Sequence, residues 1–428
     1  MTTFRRDDRS STIARPPELY PGGSRGRLSG APAGLESAAS ARGLVRWAAV
    51  VFAFGRVVTL AWILGVGAVR GLPLSQTIGY WDASWYIQAA KGGWPSIVPD
   101  LPPEATGQDT TAFFPGYPLL IRLVHLTGLG WPLSALGATL LAGLVASVLI
   151  AVLVRSFATD RVALLVVALW SYQPASYVLS VGYSEALFTA FAAVALLALG
   201  RRQWLLAGLF AASASGTRSV AVALSVAALV AAVTAWARVP RDERWTAAGL
   251  RPWLAPALSP LGVLAYFAFL RVRVGSWTAW FDVERLGWHM HSDPGISVVK
   301  SSIRSLSKTA QLFVHPRGLL VPVGMTPVVL LVAVLLAIAL WRRHSVPLEI
   351  RLYGLMFVLL VFITANSYSS LPRVLVPGFP LLIPLAAWLS RRPLVVTVAV
   401  LAVSLAAASY LGVLWFDTIR STAHCCAP

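Results

Sequence analysis

Residues 44–69 read LVRWAAVVFAFGRVVTLAWILGVGAV, an apolar run broken by charge only at Arg46 and Arg56. At about 1.5 Å per residue, a helix of this length exceeds a hydrocarbon core of roughly 30 Å. Comparable stretches recur at about 133–154, 162–180, 184–200, 203–217, 219–237, 253–270, 318–341, 348–366, 373–390 and 393–415. With 57% hydrophobic and 12% charged residues, the chain cannot keep its surface in water. The repetition predicts an all-α polytopic membrane protein of about eleven transmembrane helices.

The formal charge of +18 follows the membrane rather than a nucleic acid partner. Arg201-Arg202, Arg342-Arg343 and Arg391-Arg392 each close an apolar span, and Arg238, Arg241, Arg244 and Arg251 fill one short loop. Such clustering fits cytoplasmic loops under the positive-inside rule, and no basic platform interleaved with aromatics appears.

Residues 1–43, rich in Arg, Ser, Gly and Pro, are expected to be a disordered cytoplasmic tail. They hold no short apolar region with a cleavage site, so the first span reads as an uncleaved anchor. The membrane domain is expected over 44–415. Residues 416–428 form a short tail, in which Cys425 and Cys426 are adjacent and cannot staple the fold.

This orientation sends residues 70–132 outside as a long first loop. Ser84–Ala90 and Tyr117–Leu126 read as short interfacial helices and Pro95–Pro103 as extended. A second external segment, about 273–317, holds Trp277, Trp280, Trp288, His289 and His291. Within it, Lys300, Arg304 and Lys308 share one face of an amphipathic helix over Ser297–Val314 and are expected to meet lipid phosphates. His289 and His291 have the spacing of strand ligands but no evident third ligand, so no metal and no other cofactor are expected.

The candidate chemistry centres on Gly79-Tyr80-Trp81-Asp82-Ala83-Ser84-Trp85-Tyr86, just past the first span. An aspartate among aromatics at the mouth of a span reads in two ways. It caps the helix that follows, as aspartate often does, or it is a general base, worth about 10²–10⁴-fold in rate. One carboxylate can do both. A base is what transfer of a sugar from a lipid phosphate needs, because the leaving group is already good and the acceptor hydroxyl must lose its proton.

The order of Trp81-Asp82-Ala83-Ser84-Trp85-Tyr86, Phe113-Phe114-Pro115-Gly116-Tyr117-Pro118-Leu119 and Tyr183-Ser184-Glu185 resembles the PIG-V family of mannosyltransferases, in the GT-C superfamily of membrane glycosyltransferases. Thr217-Arg218-Ser219 and Pro372-Arg373, followed by Pro377-Gly378-Phe379-Pro380, fit the same layout. The likeness covers about residues 44–415 and implies a GT-C-like bundle. It also implies inverting transfer of mannose from polyprenyl-phosphate mannose, with Asp82 as the catalytic acidic residue of the first external loop. The acceptor would be a glycolipid or glycan at the outer face of the cytoplasmic membrane. Val374 stands where the family's Pro-Arg motif usually carries an aromatic residue.

Arg373, at an external helix end, suits a donor phosphate, although an interfacial arginine reaching for headgroups reads equally well. Arg218 is similar, provided the 203–237 hairpin brings it outside. Glu185, one residue inside an apolar segment, binds acceptor hydroxyls or pairs with Arg218 or Arg373. Trp81, Trp85, Tyr86, Tyr183, Phe113 and Trp280 stack on substrate or form an aromatic belt. The rival functions are the same chemistry with another lipid-linked sugar, and a transporter or lipid flippase; no internal repeat favours the latter.

Overall fold

The computed structural model describes residues 33–95, 107–288, 290–293, 295–312, 320–365 and 370–421. The expected tail over residues 1–32, most of Pro95–Pro103, His289 and the Cys425-Cys426 end lie outside this set, as do the side chains of His291 and Lys308.

The chain opens with α1 (Ala33–Val69), reaching back beyond the expected start at Leu44, then the short helices α2 (Leu74–Ile78), α3 (Asp82–Gly92) and α4 (Gly116–His125). A run of apolar helices follows: α5 (Trp131–Arg155), α6 (Asp160–Tyr172), α7 (Glu185–Gly200), α8 (Trp204–Ser215) and α9 (Val222–Ala237). Next come α10 (Ala247–Leu250), α11 (Leu254–Leu258), α12 (Leu261–Arg273), α13 (Ala279–Leu286) and α14 (Ile296–Leu312). The chain closes with α15 (Leu320–Trp341), α16 (Leu348–Ile363), α17 (Leu371–Val374), α18 (Ile383–Leu389) and α19 (Leu394–Ser421). Among the described residues the one departure from helix and turn is an antiparallel pairing of β1 (His291–Ser292) with β2 (Thr364–Ala365).

Among the described residues four helices are long and apolar enough to cross a membrane, or up to six if each bent pair is one span, against the eleven expected. The difference has local causes. Pro174 has no N–H to continue α6 and disfavours helical backbone at Gln173, so the chain bends by 79° into the 3-10 helix Pro174–Ser180. A second bend of 47° falls at Ser259-Pro260, before α12. Helices α7 and α8 are apolar but only 16 and 12 residues long.

The α6 break is filled from α1. Arg56 is buried and donates to the carbonyl oxygens of Ser171 and Ser176, the latter at 2.6 Å, and to Ser180 Oγ at 2.9 Å. A cation suits the carbonyl end of a helix, where the backbone dipoles leave partial negative charge. The charge that interrupted the first span in sequence thus satisfies groups that the proline break sets free.

Small residues bring the helices close. Ala135, Ala138, Ala142 and Ala146 line the buried face of α5, which packs extensively on α7. The periphery is apolar: Trp47, Phe54, Val57 and Trp62 of α1 are exposed, as expected of a surface that faces lipid rather than water. In α14, Lys300 and Arg304 are exposed together with Val299 and Ile303.

Candidate functional site

Asp82 enters the site through a strained turn. Trp81 has φ 54° and ψ −134°, a conformation that costs a side-chain-bearing residue roughly 1–3 kcal/mol. The turn makes Asp82 the first residue of α3. The next two amides are taken by backbone, Ala83 N–H donating to Tyr80 O at 3.1 Å and Ser84 N–H to Trp81 O at 2.9 Å. The Asp82 carboxylate faces elsewhere: its Oδ2 lies 2.6 Å from Arg373 Nη1. Of the two readings of Asp82, the capping contact is not the one made. Arg373, in α17 behind Pro372, also sits over the Tyr183 ring, 5.3 Å from its centroid.

A second ion pair lies beside the first. Arg218 Nη1 is 2.9 Å from Glu185 Oε1, the carboxylate being fully buried and the arginine nearly so. The contact is close but not aligned as a hydrogen bond, and neither Glu185 oxygen finds a hydrogen-bond donor. Arg218 does donate to Ser184 Oγ at 2.9 Å, and that hydroxyl meets Tyr86 OH at 2.7 Å. A charge this deep persists only when paired, and Glu185 pairs with Arg218.

Close backbone approach fixes the two pairs. Gly116 N–H donates to Gly216 O at 2.9 Å, and a Cβ at Gly116 would stand 2.5 Å from Thr217 Oγ1. Only glycine admits that contact, which carries Arg218 to the first loop. Tyr117 OH donates to Ala135 O at 2.7 Å and meets Thr139 Oγ1 at 2.6 Å; the Thr139 hydroxyl in turn donates to Tyr183 O at 3.0 Å. The Phe-Phe-Pro-Gly-Tyr and Gly-Tyr-Ser-Glu segments are therefore pinned to the same turn of α5.

The pairs face a cavity of about 620 Å³, to which Asp82, Tyr86, Arg218 and Arg373 contribute. That is within the range of small-molecule sites, about 300–1,000 Å³. Trp280, Glu284 and Trp288, from α13 and the turn after it, also line the cavity. Trp280 donates its indole N–H to Ala112 O at 3.2 Å, and Trp288 packs edge-on against Trp85 and Phe113. Burial pushes the Glu284 carboxyl up to about 8, the Asp82 charge adding to the rise and Arg373 and Arg218 opposing it. Burial likewise pushes the Tyr86 hydroxyl up to about 12, so it stays a neutral donor.

Of the residues singled out in sequence, Asp82, Arg373, Arg218 and Tyr86 meet at the cavity. Tyr183 supports Arg373 and Glu185 anchors Arg218 from behind. Trp85 stacks on Phe113, centroids 6.2 Å apart, while Trp81 forms the turn. Glu284 was missed, although it carries the signal that exposed Asp82: an acid among aromatics in a segment between apolar spans. Among the described residues no group of three His, Cys, Asp or Glu side chains is placed to hold a metal. No protein-family model, no curated protein and no solved structure matches the chain.

Proposed function

We propose that this protein is an inverting mannosyltransferase of the PIG-V and GT-C type, moving mannose from polyprenyl-phosphate mannose to a glycolipid or glycan acceptor at the outer face of the cytoplasmic membrane. The observation that carries the reading is the 2.6 Å contact between Asp82, from the first loop, and Arg373, from the last third of the chain, at the wall of one cavity. A carboxylate and a guanidinium side by side match the two demands of the reaction. Asp82 takes the proton of the acceptor hydroxyl as its oxygen bonds the anomeric carbon. The bond from that carbon to the phosphate oxygen breaks, and polyprenyl phosphate leaves with the electron pair, its charge met by Arg373 and Arg218. Such preorganised charge is worth about 3–4 kcal/mol per donor in comparable sites.

The unfilled donors favour an oxygen-rich ligand. The Nε atoms of Arg218 and Arg373 and the Trp288 Nε1 are buried without an acceptor among the described residues. Phosphate and sugar oxygens supply acceptors of that kind. If α7, α8, α15, α16 and α18 also cross, they would bring the four long helices and two bent pairs to the about eleven crossings of this reading. A helix shorter than the hydrocarbon core is tolerated where its end opens on a protein-lined cavity. The Thr217–Arg218 junction lines such a cavity.

The test uses the purified chain with radiolabelled polyprenyl-phosphate mannose and membrane lipids, the products being separated by glycan class. Label is expected in a new glycolipid or glycan, with polyprenyl phosphate released in equal amount. Transfer only from a different lipid-linked sugar would replace mannose in the reading. No transfer from any such donor would overturn the enzymatic assignment.

A further inference from the structure

The cavity holds one acid more than its ion pairs use. Asp82 is engaged by Arg373 and Glu185 by Arg218, while Arg285, which also lines the cavity, is exposed and lies 3.5 Å from Asp282. From the elements packed on α13, α12 brings the Tyr266 phenol, which donates to Thr111 O at 2.8 Å, and the adjoining 3-10 turn is capped by Asp109. Arg271 and Arg273 of α12 are exposed and donate to Gly275 O and Trp94 O. Among the described residues none of these groups pairs with Glu284, which lies in the cavity wall with Trp280 and Trp288.

We infer that Glu284 recognises the donor's sugar, its unpaired carboxyl hydrogen-bonding a hydroxyl of the hexose held between the arginines and the two indole rings. The inference rests on the proposed lipid-phosphate donor. A neutral carboxyl group both donates and accepts, as a sugar hydroxyl does, and adds no negative charge beside the donor phosphate. Its burial favours that neutral form, with the carboxyl pushed up to about 8. The hexose is joined directly to the phosphate, so a group sharing one cavity with Arg373 and Arg218 faces the sugar. Trp280 and Trp288 offer ring surface for its C–H face.

The test compares binding of polyprenyl-phosphate mannose and of bare polyprenyl phosphate to the full chain in lipid nanodiscs. Wild type is expected to prefer the mannosylated lipid, and Glu284→Ala to lose about tenfold of that preference, as for one buried hydrogen bond. Its affinity for bare polyprenyl phosphate should not change, which also reports an intact fold. Glu284→Gln, neutral and still a donor, should keep the preference and hold it above pH 8, where that of wild type fades. An unchanged preference in Glu284→Ala, or a loss in Glu284→Gln equal to that in Glu284→Ala, overturns the inference while leaving the donor assignment standing. Failure of wild type to bind either lipid overturns both.

Discussion

Asp82 and Glu284 are two carboxyl groups lining one cavity, and Asp82 is the one that an arginine engages. The Glu284 carboxyl goes from an ordinary 4.5 to about 8 on folding, so the folded state holds its proton more tightly. Its contribution to stability is therefore fully present below about pH 4.5 and is lost as pH rises through about 8. Thermal melts in nanodiscs between pH 5 and 9 should show wild type losing stability relative to Glu284→Gln as pH rises; parallel profiles would contradict the buried neutral acid. Arg373→Ala removes the partner of Asp82 and, in the proposed reaction, a ligand of the donor phosphate. Titration with bare polyprenyl phosphate should show affinity lowered by about tenfold or more, the scale of one charge-assisted hydrogen bond. Asp82 was legible because an acid in aromatic company after a span has few structural uses. Glu284 was hidden by its own context, since tryptophans in a segment between apolar spans read as an interfacial belt until the fold sets them against the first loop.

Periodicity and turn chemistry made the short elements legible: α3, α4, α8, α9 and α14 fall close to their expected bounds. The breaks were less so, because a proline says that a helix stops but not what takes up the freed carbonyls. Arg56 does that for α6, so Arg56→Leu should leave buried acceptors unpaired, at about 1–3 kcal/mol each. A melting temperature lowered by several degrees is expected, and an unchanged one would deny the staple role. Gly116 has a comparable place at the site. Gly116→Ala puts a methyl group 2.5 Å from Thr217 Oγ1 and forces the first loop away from the turn that carries Arg218. Transfer activity should drop by more than stability does, and wild-type turnover in this variant would show that the approach is not needed.

At the scale of the whole molecule, composition already announced helices in a membrane, and four to six of them meet the criteria of a full span. Other apolar helices are short or bent, as at Pro174, and a hydropathy window does not register such breaks. The orientation expected from the arginine asymmetry is open to direct measurement. In a variant with Cys425 and Cys426 replaced by serine, cysteines introduced at Gly107 and Lys300 should react in intact cells with an impermeant maleimide. Cysteines at Arg202 and Arg342 should require permeabilisation. The reverse pattern would put the cavity on the cytoplasmic side and remove an external acceptor.

Whether the Asp82 carboxylate removes the proton of an acceptor hydroxyl is read from single-turnover mannosyl transfer with Asp82→Asn under saturating polyprenyl-phosphate mannose. Asparagine keeps the size and the local turn chemistry but cannot take the proton. The predicted result is a chemical step slowed roughly 10²-fold or more, with donor binding and thermal stability close to wild type. A variant that transfers mannose at near the wild-type rate would contradict the account and leave Asp82 as a structural partner of Arg373.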